Sequence, residues 1–415
     1  MRGPVLAMLN AAALVVATSL ASAPALAAEF RLTPSLTLGE EYNDNLLQTS
    51  SGHDTEFVTR VQPGVALGAT GGGFQADLFY GLDYRHFAKG SRGDQFDHRA
   101  GMKGSFRFFD DFIHLDLSDA YSRVSSDPVR DVTGESLVTN QTLQNNAIVS
   151  PYLTWRLPGA STLKTGYRYR DTRYWSGTGI DKTEHDGYAE WSRELTEGLV
   201  LSAAYSYAHL SSETNALNRQ EVYAGLRYDY GTGNFLYGKL GYDWQSLHSG
   251  SDTGDPFWDA GAGRDFGFLT ATAGTKVEYT EDPETLSTRN ITHYATLGRA
   301  FSRGTVSFNA SYSKYEKQQV LGRDVRRKVL LGLAGRYDLR QDLALLLSLS
   351  GDRLNGDLRG ERPYHLVGGV GLDWTLSSRV VLGTNYTHIS YRDHLDSAAD
   401  SIEVNRVIVE LRLTR

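Results

Sequence analysis

Period-two alternation of apolar and polar residues, repeated along almost the whole chain, is the feature that most limits the possible folds. From Phe30 to Arg415, stretches of roughly ten residues alternate in this way and are separated by turn-forming segments. From Phe74 to Tyr84, every even position is apolar or aromatic, whereas the odd positions are polar or glycine except at Phe79. Such alternation predicts strands with one apolar and one polar face and excludes a helix-rich fold.

Two kinds of connection separate these stretches, and they alternate along the chain. The tight connections lie at 70–73, 109–111, 157–160, 196–198, 231–234, 265–267, 302–304, 340–342 and 376–378. The longer polar connections lie at 41–55, 87–96, 124–142, 173–184, 210–217, 247–255, 280–287, 317–324, 352–361 and 392–400. A soluble β-sandwich would also alternate, but tight and long connections in strict alternation are typical of outer-membrane barrels.

The pattern therefore predicts an all-β fold, a transmembrane antiparallel β-barrel with short periplasmic turns and long extracellular loops. We expect about twenty strands, within a range of roughly sixteen to twenty-two, and both termini on the periplasmic side. No domain boundary interrupts residues 28–415, so the barrel is expected to be the only domain of the mature chain. We expect no separate N-terminal plug, because the first predicted strand begins almost at the mature N-terminus.

Residues 1–27 have the features of a secretory signal peptide. Arg2 precedes an apolar stretch from Val5 to Leu20, and small residues lead to the sequence Ala25-Leu26-Ala27. An A-x-A site after a short apolar helix predicts cleavage near Ala27 or Ala28. A transmembrane anchor is the alternative, disfavoured by the short apolar core.

The composition excludes several other classes of protein. The 415 residues have a formal net charge of −7, so no basic excess indicates a nucleic-acid partner. The mean hydropathy of −0.37 is too low for a helical membrane protein. With no cysteine, the chain has no disulfide, no thiol catalysis, no cysteine-ligated metal and no lipid-modified cysteine.

Aromatic residues near strand ends predict the girdles that lie at the two membrane interfaces of such barrels. They are Trp155, Tyr174, Trp175, Trp191, Phe235, Trp374 and Tyr391.

The polar face of the predicted strands is rich in basic residues. Eight fall on this face, namely Arg99, Lys103, Arg107, Lys164, Arg168, Arg170, Arg227 and Arg336, together with the acidic residues Asp77, Asp83 and Glu221. A barrel of more than roughly sixteen strands encloses a water-filled channel unless loops fill it. Guanidinium groups bind carboxylates and phosphates, so these residues predict a pore wall that favours anions. Cross-strand ion pairing that stabilises a polar wall is an equally weighted alternative.

The long loops are acidic, and oxygen-rich loops can bind Ca²⁺ or Mg²⁺. Their carboxylates are Asp44, Asp54, Glu56, Asp252, Asp255, Glu281, Asp282, Glu284, Asp393, Asp396 and Asp400. No loop has the ligand spacing of a calcium-binding loop, so a solvated surface is favoured, and no metal or cofactor is expected.

Catalysis would be a different class of function, and the sequence contains three candidate groups for it. A histidine lies near a carboxylate or a hydroxyl at His185-Asp186, at His388 with Ser390, and at Asp393-His394. No G-x-S-x-G elbow, H-E-x-x-H helix or phosphate-binding glycine loop accompanies them, so we expect no catalysis.

The start of the mature chain resembles a known family. Residues 36–45 read LTLGEEYNDN and residues 61–65 read VQPGV. This segment resembles β-barrel porin family 2, outer-membrane proteins of Gram-negative bacteria whose first strand ends in a Tyr-x-Asp-Asn type motif. Some relatives are encoded near exopolysaccharide genes. The resemblance implies an outer-membrane barrel that passes polysaccharide or other solutes, and it supplies no catalytic residues.

The motif itself comprises Tyr42, Asn43, Asp44 and Asn45. Asn and Asp side chains can cap turns through hydrogen bonds to nearby backbone, and this interpretation is favoured over ligand binding.

The sequence thus predicts a porin-like channel in the cell outer membrane, which passes polar or anionic solutes or exports polysaccharide. The alternative is a non-conducting structural barrel that serves as a docking element of an envelope polysaccharide assembly. The expected partners are outer-membrane lipid and lipopolysaccharide, the barrel assembly machinery and polysaccharide export components, but not nucleic acid. The final residues Leu413-Thr414-Arg415 lack the terminal aromatic residue that the assembly machinery reads in many barrels, although alternation from Val407 predicts a last strand.

Overall fold

The alternating stretches fold into twenty β-strands in a computed structural model, which describes residues 28–52, 54–130, 140–175, 179–213, 215–248, 252–280, 282–319, 322–356, 362–395 and 401–415. The predicted signal peptide, residues 1–27, lies outside the described residues. The strands are β1 (Glu29–Asn43), β2 (Glu56–Gly71), β3 (Phe74–Phe87), β4 (Gln95–Phe108), β5 (Ile113–Ser125), β6 (Gln141–Leu157), β7 (Ser161–Tyr174), β8 (Lys182–Thr196), β9 (Leu199–Ser212), β10 (Ala216–Asp229), β11 (Phe235–Leu247), β12 (Thr253–Asp265), β13 (Thr270–Thr280), β14 (Thr288–Phe301), β15 (Gly304–Gln319), β16 (Gly322–Arg340), β17 (Leu343–Asn355), β18 (Tyr364–Ser377), β19 (Val380–Arg392) and β20 (Ile402–Thr414).

Each strand pairs antiparallel with its neighbours in sequence, and β1 pairs with β20, so the sheet closes into a barrel. In the closing pair, Ser35 lies opposite Thr414 and Asn43 lies opposite Arg406. Closure leaves no free sheet edge, which is the condition for a sheet that spans a membrane. The predicted fold class, an antiparallel barrel of about twenty strands, is confirmed.

The tight connections all lie at one end of the barrel, here called the turn end, and the other connections lie at the loop end. The turn between β8 and β9 contains Gly198 with a φ of 77°, in the left-handed region that glycine adopts without steric penalty.

Two connections at the loop end are shorter than expected. Residues 213–215 join β9 to β10, and only residues 320–321 separate β15 from β16. The polar segment 317–324 resembled a loop, but most of it continues the two strands. Lys317 belongs to a strand because it faces a packed, charged interior rather than water.

The outer face of the barrel is apolar. On β11, Leu236 and Leu240 are 49% and 69% exposed, and on β17, Leu347 and Leu349 are 51% and 60% exposed. Large apolar side chains at alternate positions with no protein partner form the surface that lipid covers in such barrels. Among the described residues, no helix has the length and apolar character needed to cross a membrane.

The predicted aromatic girdles are correct only in part. Trp155 and Trp374 are about two-fifths exposed and share the outer face with apolar neighbours. Phe235 and Tyr391 instead lie on the inner face, where Phe235 packs under the Arg227 guanidinium and Tyr391 stacks on His365. Because adjacent strand residues point to opposite faces, proximity to a strand end did not decide the direction.

Alternation along β11 identifies the inner face. Leu236 and Leu240 face outward, so Tyr237, at a position of the other parity, faces the interior. Its hydroxyl group lies 3.1 Å from that of Tyr294 on β14. Residues directly opposite each other on paired strands share a face, so the registers extend this assignment around the barrel.

One hairpin leaves the wall. Pairing between β12 and β13 ends at Asp259 and Lys276, although both strands continue toward the loop end. Beyond this point the β13–β14 hairpin folds inward. Tyr279 receives a hydrogen bond from Gln245 on β11, and Leu286 packs on an apolar cluster that includes Leu217. The inward hairpin covers the inner faces of β8 to β11 at the loop end.

Candidate functional site in the barrel interior

The eight predicted pore-lining basic residues share the inner face by register. Lys103 lies opposite Asp77, Arg99 opposite Gly81, and Lys164 opposite Glu190. Arg227 lies opposite Tyr237, which has already been placed inside. Arg107, Arg168, Arg170 and Arg336 follow from the same registers.

The structure divides these residues into three groups. Arg99, Lys103 and Lys164 are exposed and have no ion-pair partner among the described residues. Lys103 and Lys164 lie in the turn-end halves of β4 and β7, whereas Arg99 lies in the loop-end half of β4. The Arg99 guanidinium lies 5.9 Å from the Phe79 ring centre, and the Lys164 ammonium lies 5.7 Å from that of Tyr152. All three side chains carry positive charge that no described carboxylate pairs with.

The other basic residues near the turn end are exposed but paired. Arg227 binds Asp229 at 2.8 Å, Arg336 binds Asp338 at 3.1 Å, and Arg107 lies 3.6 Å from Asp111. Each acidic partner reduces the local positive potential, so these arginines attract a free anion less than the unpaired residues do.

Toward the loop end, the inner face becomes a buried network of ion pairs. Arg168 contacts Asp186 at 3.2 Å, and Arg170 contacts Glu184 at 2.8 Å. Asp83 contacts both Arg85 and Arg60 and is buried. At these positions the geometry matches the cross-strand pairing alternative.

A short segment crosses the interior at the loop end. Residues 126–130, here called the crossing segment, follow β5 and reach β15 and β16, about halfway around the barrel. Asp127 pairs with Arg326 and lies 3.5 Å from Lys317, and the Lys328 ammonium donates to the Val129 carbonyl at 2.9 Å.

Arg130 fixes the far end of the crossing segment. It contacts Asp352 at 3.3 Å, donates to the Arg362 carbonyl at 3.0 Å, and lies over the Tyr391 ring. Val129 between these anchors is only 1% exposed. The segment is therefore packed into the interior and narrows it.

Lys317 joins the crossing segment to the inward hairpin. Its fully buried ammonium lies 3.3 Å from Asp282, 3.3 Å from Glu284 and 3.5 Å from Asp127. A buried cation with several carboxylate partners is costly to leave unpaired, so it holds both loops in place. Sequence analysis missed Lys317, Arg326 and Asp127, because their partners lie far away in the chain.

The motif at Tyr42 to Asn45 connects the two ends of the sheet. Asp44 accepts hydrogen bonds from the backbone N–H and the side-chain amide of Asn405 at 2.7 and 2.8 Å. Asn45 donates to the carbonyls of Thr49 and Glu403, and Asn43 accepts from the Asn45 N–H at 3.0 Å.

These bonds hold the β1–β2 loop against β20. The fourth motif residue, Tyr42, packs on Phe57 with ring centres 5.2 Å apart. Asn43 and Asn45 therefore bond nearby backbone as turn-capping residues do, whereas Asp44 and Tyr42 contact the neighbouring strands β20 and β2.

The histidine pairs do not form a catalytic arrangement. His185 hydrogen-bonds Tyr167 on the outer face, whereas its neighbour Asp186 points inward to Arg168. Near Glu403, Ser390 donates its hydroxyl proton to the carboxylate at 2.8 Å, and His388 contacts the same carboxylate at 3.1 Å. The imidazole is therefore not placed to take the serine proton.

The third pair, Asp393 and His394, follows β19. The Asp393 carboxylate lies 4.0 Å from the Arg362 guanidinium.

Several of the acidic loop residues bind protein groups. Asp282 and Glu284 face Lys317, and the Glu56 carboxylate accepts hydrogen bonds from Lys89 and Ser91. Glu281, Asp396 and Asp400 lie outside the described residues. The described part of the chain contains no group of three or more His, Asp or Glu side chains placed to bind one metal ion.

Comparison with known proteins gives similarity in fold. No protein-family model matches the sequence, and no curated protein matches it. The structure is similar to the FrpB iron transporter from Neisseria meningitidis in its apoprotein form, with a TM-score of 0.54 and 10% identity over 92% of this chain and 81% of that chain. It is also similar to a mutant ferric enterobactin receptor, PfeA, from Pseudomonas aeruginosa, with a TM-score of 0.52 and 9% identity over 93% and 81% of the two chains.

Both similarities extend over most of this chain and concern the fold. A closed antiparallel barrel with an apolar outer face is the architecture of outer-membrane barrels, in agreement with the predicted location.

Proposed function

We propose that the protein is an outer-membrane channel for polar and anionic solutes, including acidic polysaccharide on its way out of the cell. The observation that carries the proposal is the group of three unpaired basic side chains, Arg99, Lys103 and Lys164, exposed on the inner face of the barrel. Fixed positive charge on the wall of a water-filled passage raises the local concentration of anions.

Two further features support a transport role. The resemblance of residues 36–45 and 61–65 to β-barrel porin family 2 implies passage of solutes or polysaccharide. The proteins of similar fold are a transporter and a receptor for iron compounds by their own descriptions, so the fold is compatible with transport of other cargo.

A second candidate is a non-conducting docking barrel in an envelope polysaccharide assembly. The crossing segment and the inward hairpin favour it, because they pack the interior at the loop end. In the channel proposal, the same two elements restrict passage and must move to widen it.

The test is single-channel recording of the refolded protein in a planar bilayer, with reversal potentials measured in a salt gradient. We expect a channel that prefers anions. The triple variant Arg99→Gln, Lys103→Gln, Lys164→Gln should shift the reversal potential toward zero. The matched control Arg193→Gln, Arg327→Gln, Arg353→Gln removes the same charge from the outer face and should leave the preference intact.

A folded barrel that conducts nothing would reject the channel and favour the docking barrel. Anion preference that survives in the triple variant would reject the role of the three unpaired residues.

A further inference from the structure

A cavity of about 320 Å³ lies between the inner wall of β7 to β10 and the inward β13–β14 hairpin. The wall contributes Arg168, Arg170 and Asp186, and the hairpin contributes Val277 and Tyr279. Beyond Lys276 the hairpin no longer pairs with β12 and folds into the interior. Side chains such as Tyr279 then contact β10 and β11, and the cavity remains between the hairpin and the wall. The volume is at the lower end of the range for pockets that bind small molecules.

Charged groups line the cavity in nearly equal numbers, with four basic side chains and five acidic ones. Most are paired within the wall. Arg219 binds Glu221 at 3.0 Å and also contacts Glu184, in addition to the Arg168–Asp186 and Arg170–Glu184 pairs. The Lys182 ammonium donates to the carbonyls of Asp282 and Thr285 at 2.7 and 2.6 Å.

A fully ionic ligand would have to break this pairing. Separating buried ion partners costs several kcal/mol unless the ligand replaces every lost contact. A ligand without net charge keeps the pairs intact.

Three buried polar atoms on the lining residues have no hydrogen-bond partner among the described groups. They are Oδ1 of Asp186, whose residue is 6% exposed, Nε of Arg170 and Oγ of Ser287. The Asp186 oxygen needs a donor, the Arg170 nitrogen needs an acceptor, and the Ser287 hydroxyl can bond either. A hydroxyl group supplies both, and neighbouring hydroxyls on one ring can satisfy both sites together.

Aromatic side chains provide the apolar part of the lining. Tyr188, Tyr223 and Phe257 line the cavity, and the Tyr223 and Phe257 rings meet edge to face with centres 6.0 Å apart. Rings beside hydrogen-bonding groups suit a ligand that has apolar C–H faces and a polar edge.

From this combination we propose that the cavity is a binding site for a small neutral saccharide. Sugar hydroxyls donate to Asp186 and accept from Arg170, while the sugar face packs on the tyrosine rings. The site goes beyond the proposed function, because saturable binding of a neutral sugar requires neither an open channel nor anion preference.

The test is isothermal titration calorimetry on the refolded full chain in detergent. The probes are D-glucose, D-galactose, D-mannose, N-acetyl-D-glucosamine and maltose, with D-glucuronate as the anionic comparison. We expect saturable one-to-one binding of at least one neutral sugar and weaker binding of glucuronate.

Two conservative variants test the assigned atoms. Arg170→Lys keeps the charge but removes Nε, and Asp186→Asn keeps the shape but removes the carboxylate. Each should weaken binding about tenfold, the loss expected for one hydrogen bond to a charged group. Arg327→Lys on the outer face is the matched control and should bind as the unaltered protein does. Circular dichroism and heat-dependent migration on gels establish that each variant is folded.

The proposal is overturned if no neutral sugar in the set saturates, if glucuronate binds as tightly, or if both folded variants bind unchanged. A barrel that binds sugar but conducts nothing would reject the channel and keep the site. A conducting, anion-selective barrel without sugar binding would do the reverse.

Discussion

The Glu56 side chain holds two loops together through one carboxylate. It is fully buried and accepts hydrogen bonds from the N–H groups of Phe57, Lys89 and Ser91 at 2.9, 2.8 and 3.2 Å, and from the Ser91 hydroxyl. Burial alone would raise the pKa of this carboxyl group. The hydrogen bonds from Ser91, Lys89 and Phe57 outweigh burial and hold the pKa below its ordinary value of 4.5.

This lowered pKa predicts a pH dependence. The ionised form is favoured by folding, so its stabilisation is complete above the ordinary pKa and is lost as the pH falls through the folded-state pKa. Glu56→Gln should therefore lower the free energy of unfolding most near neutral pH, and the difference from the unaltered protein should shrink in acid. Urea unfolding in lipid vesicles at several pH values measures this difference in the free energy of unfolding.

The control is Glu40→Gln, at an exposed carboxylate that accepts a single bond from Thr59 at 2.8 Å. Near neutral pH, Glu40→Gln should lower the free energy of unfolding less than Glu56→Gln does. If the difference in the free energy of unfolding between Glu56→Gln and the unaltered protein stayed constant across the pH range, it would contradict the lowered pKa of Glu56.

The crossing segment shows how a connection can act as a packed element. Its two charged residues, Asp127 and Arg130, are anchored to opposite partners on β16 and β17. Alternation predicted only that residues 124–142 form a long loop. The strands that this loop contacts are decided by closure of the barrel, because closure brings residues that are distant in sequence close together.

Removing these anchors should widen the interior. Asp127→Ala with Arg130→Ala deletes both ion-pair anchors, so the segment can leave the interior and single-channel conductance should rise. The paired control Arg92→Ala with Asp94→Ala changes the same charges in the exposed β3–β4 loop and should leave conductance unchanged. Unaltered conductance in the first variant would show that the crossing segment does not limit the passage.

Barrel closure is a property of the whole molecule, and the motif at Tyr42 to Asn45 supports it at the loop end. Asp44 bonds both the backbone and the side chain of Asn405. Near the turn end, the Arg415 N–H donates to the Pro34 carbonyl at 3.3 Å. Together these contacts bracket the pairing of β1 with β20.

Asp44→Ala should therefore destabilise the closure. Loss of charged hydrogen bonds predicts a decrease of about 1.5–3 kcal/mol in the free energy of unfolding, with faster amide exchange in β1 and β20 than elsewhere. Asp54→Ala, at an exposed side chain of the same loop, should change stability by less than about 0.5 kcal/mol. Uniform exchange around the barrel in the Asp44 variant would contradict a role in closure.

Different parts of the inner face also differ at the scale of the whole molecule. Around Arg99, Lys103 and Lys164 the inner face is exposed and carries unpaired basic charge, whereas under the inward hairpin it is buried and its charges are paired. Arg99 and Arg170 looked equivalent in the sequence, since both occupy polar positions of alternating strands. Their environments differ because only Arg170 lies under the inward hairpin.

The sequence by itself predicted an antiparallel barrel of about twenty strands and the face of most strand residues. This is because side-chain direction in a strand depends only on residue parity, and the tight turns fix which strands are neighbours. It also located the motif at Tyr42 to Asn45 and the basic inner positions.

Only the tertiary structure decided which of those positions are paired, where loops enter the interior, and where a cavity remains. Those features depend on contacts such as Lys317 with Asp127 and Lys182 with the Asp282 carbonyl. Such contacts join residues far apart in the chain, so the alternation of apolar and polar residues cannot predict them. Alternation decides locally on which face a charged side chain lies. Whether an oppositely charged group neutralises that side chain depends on the closed geometry of the barrel.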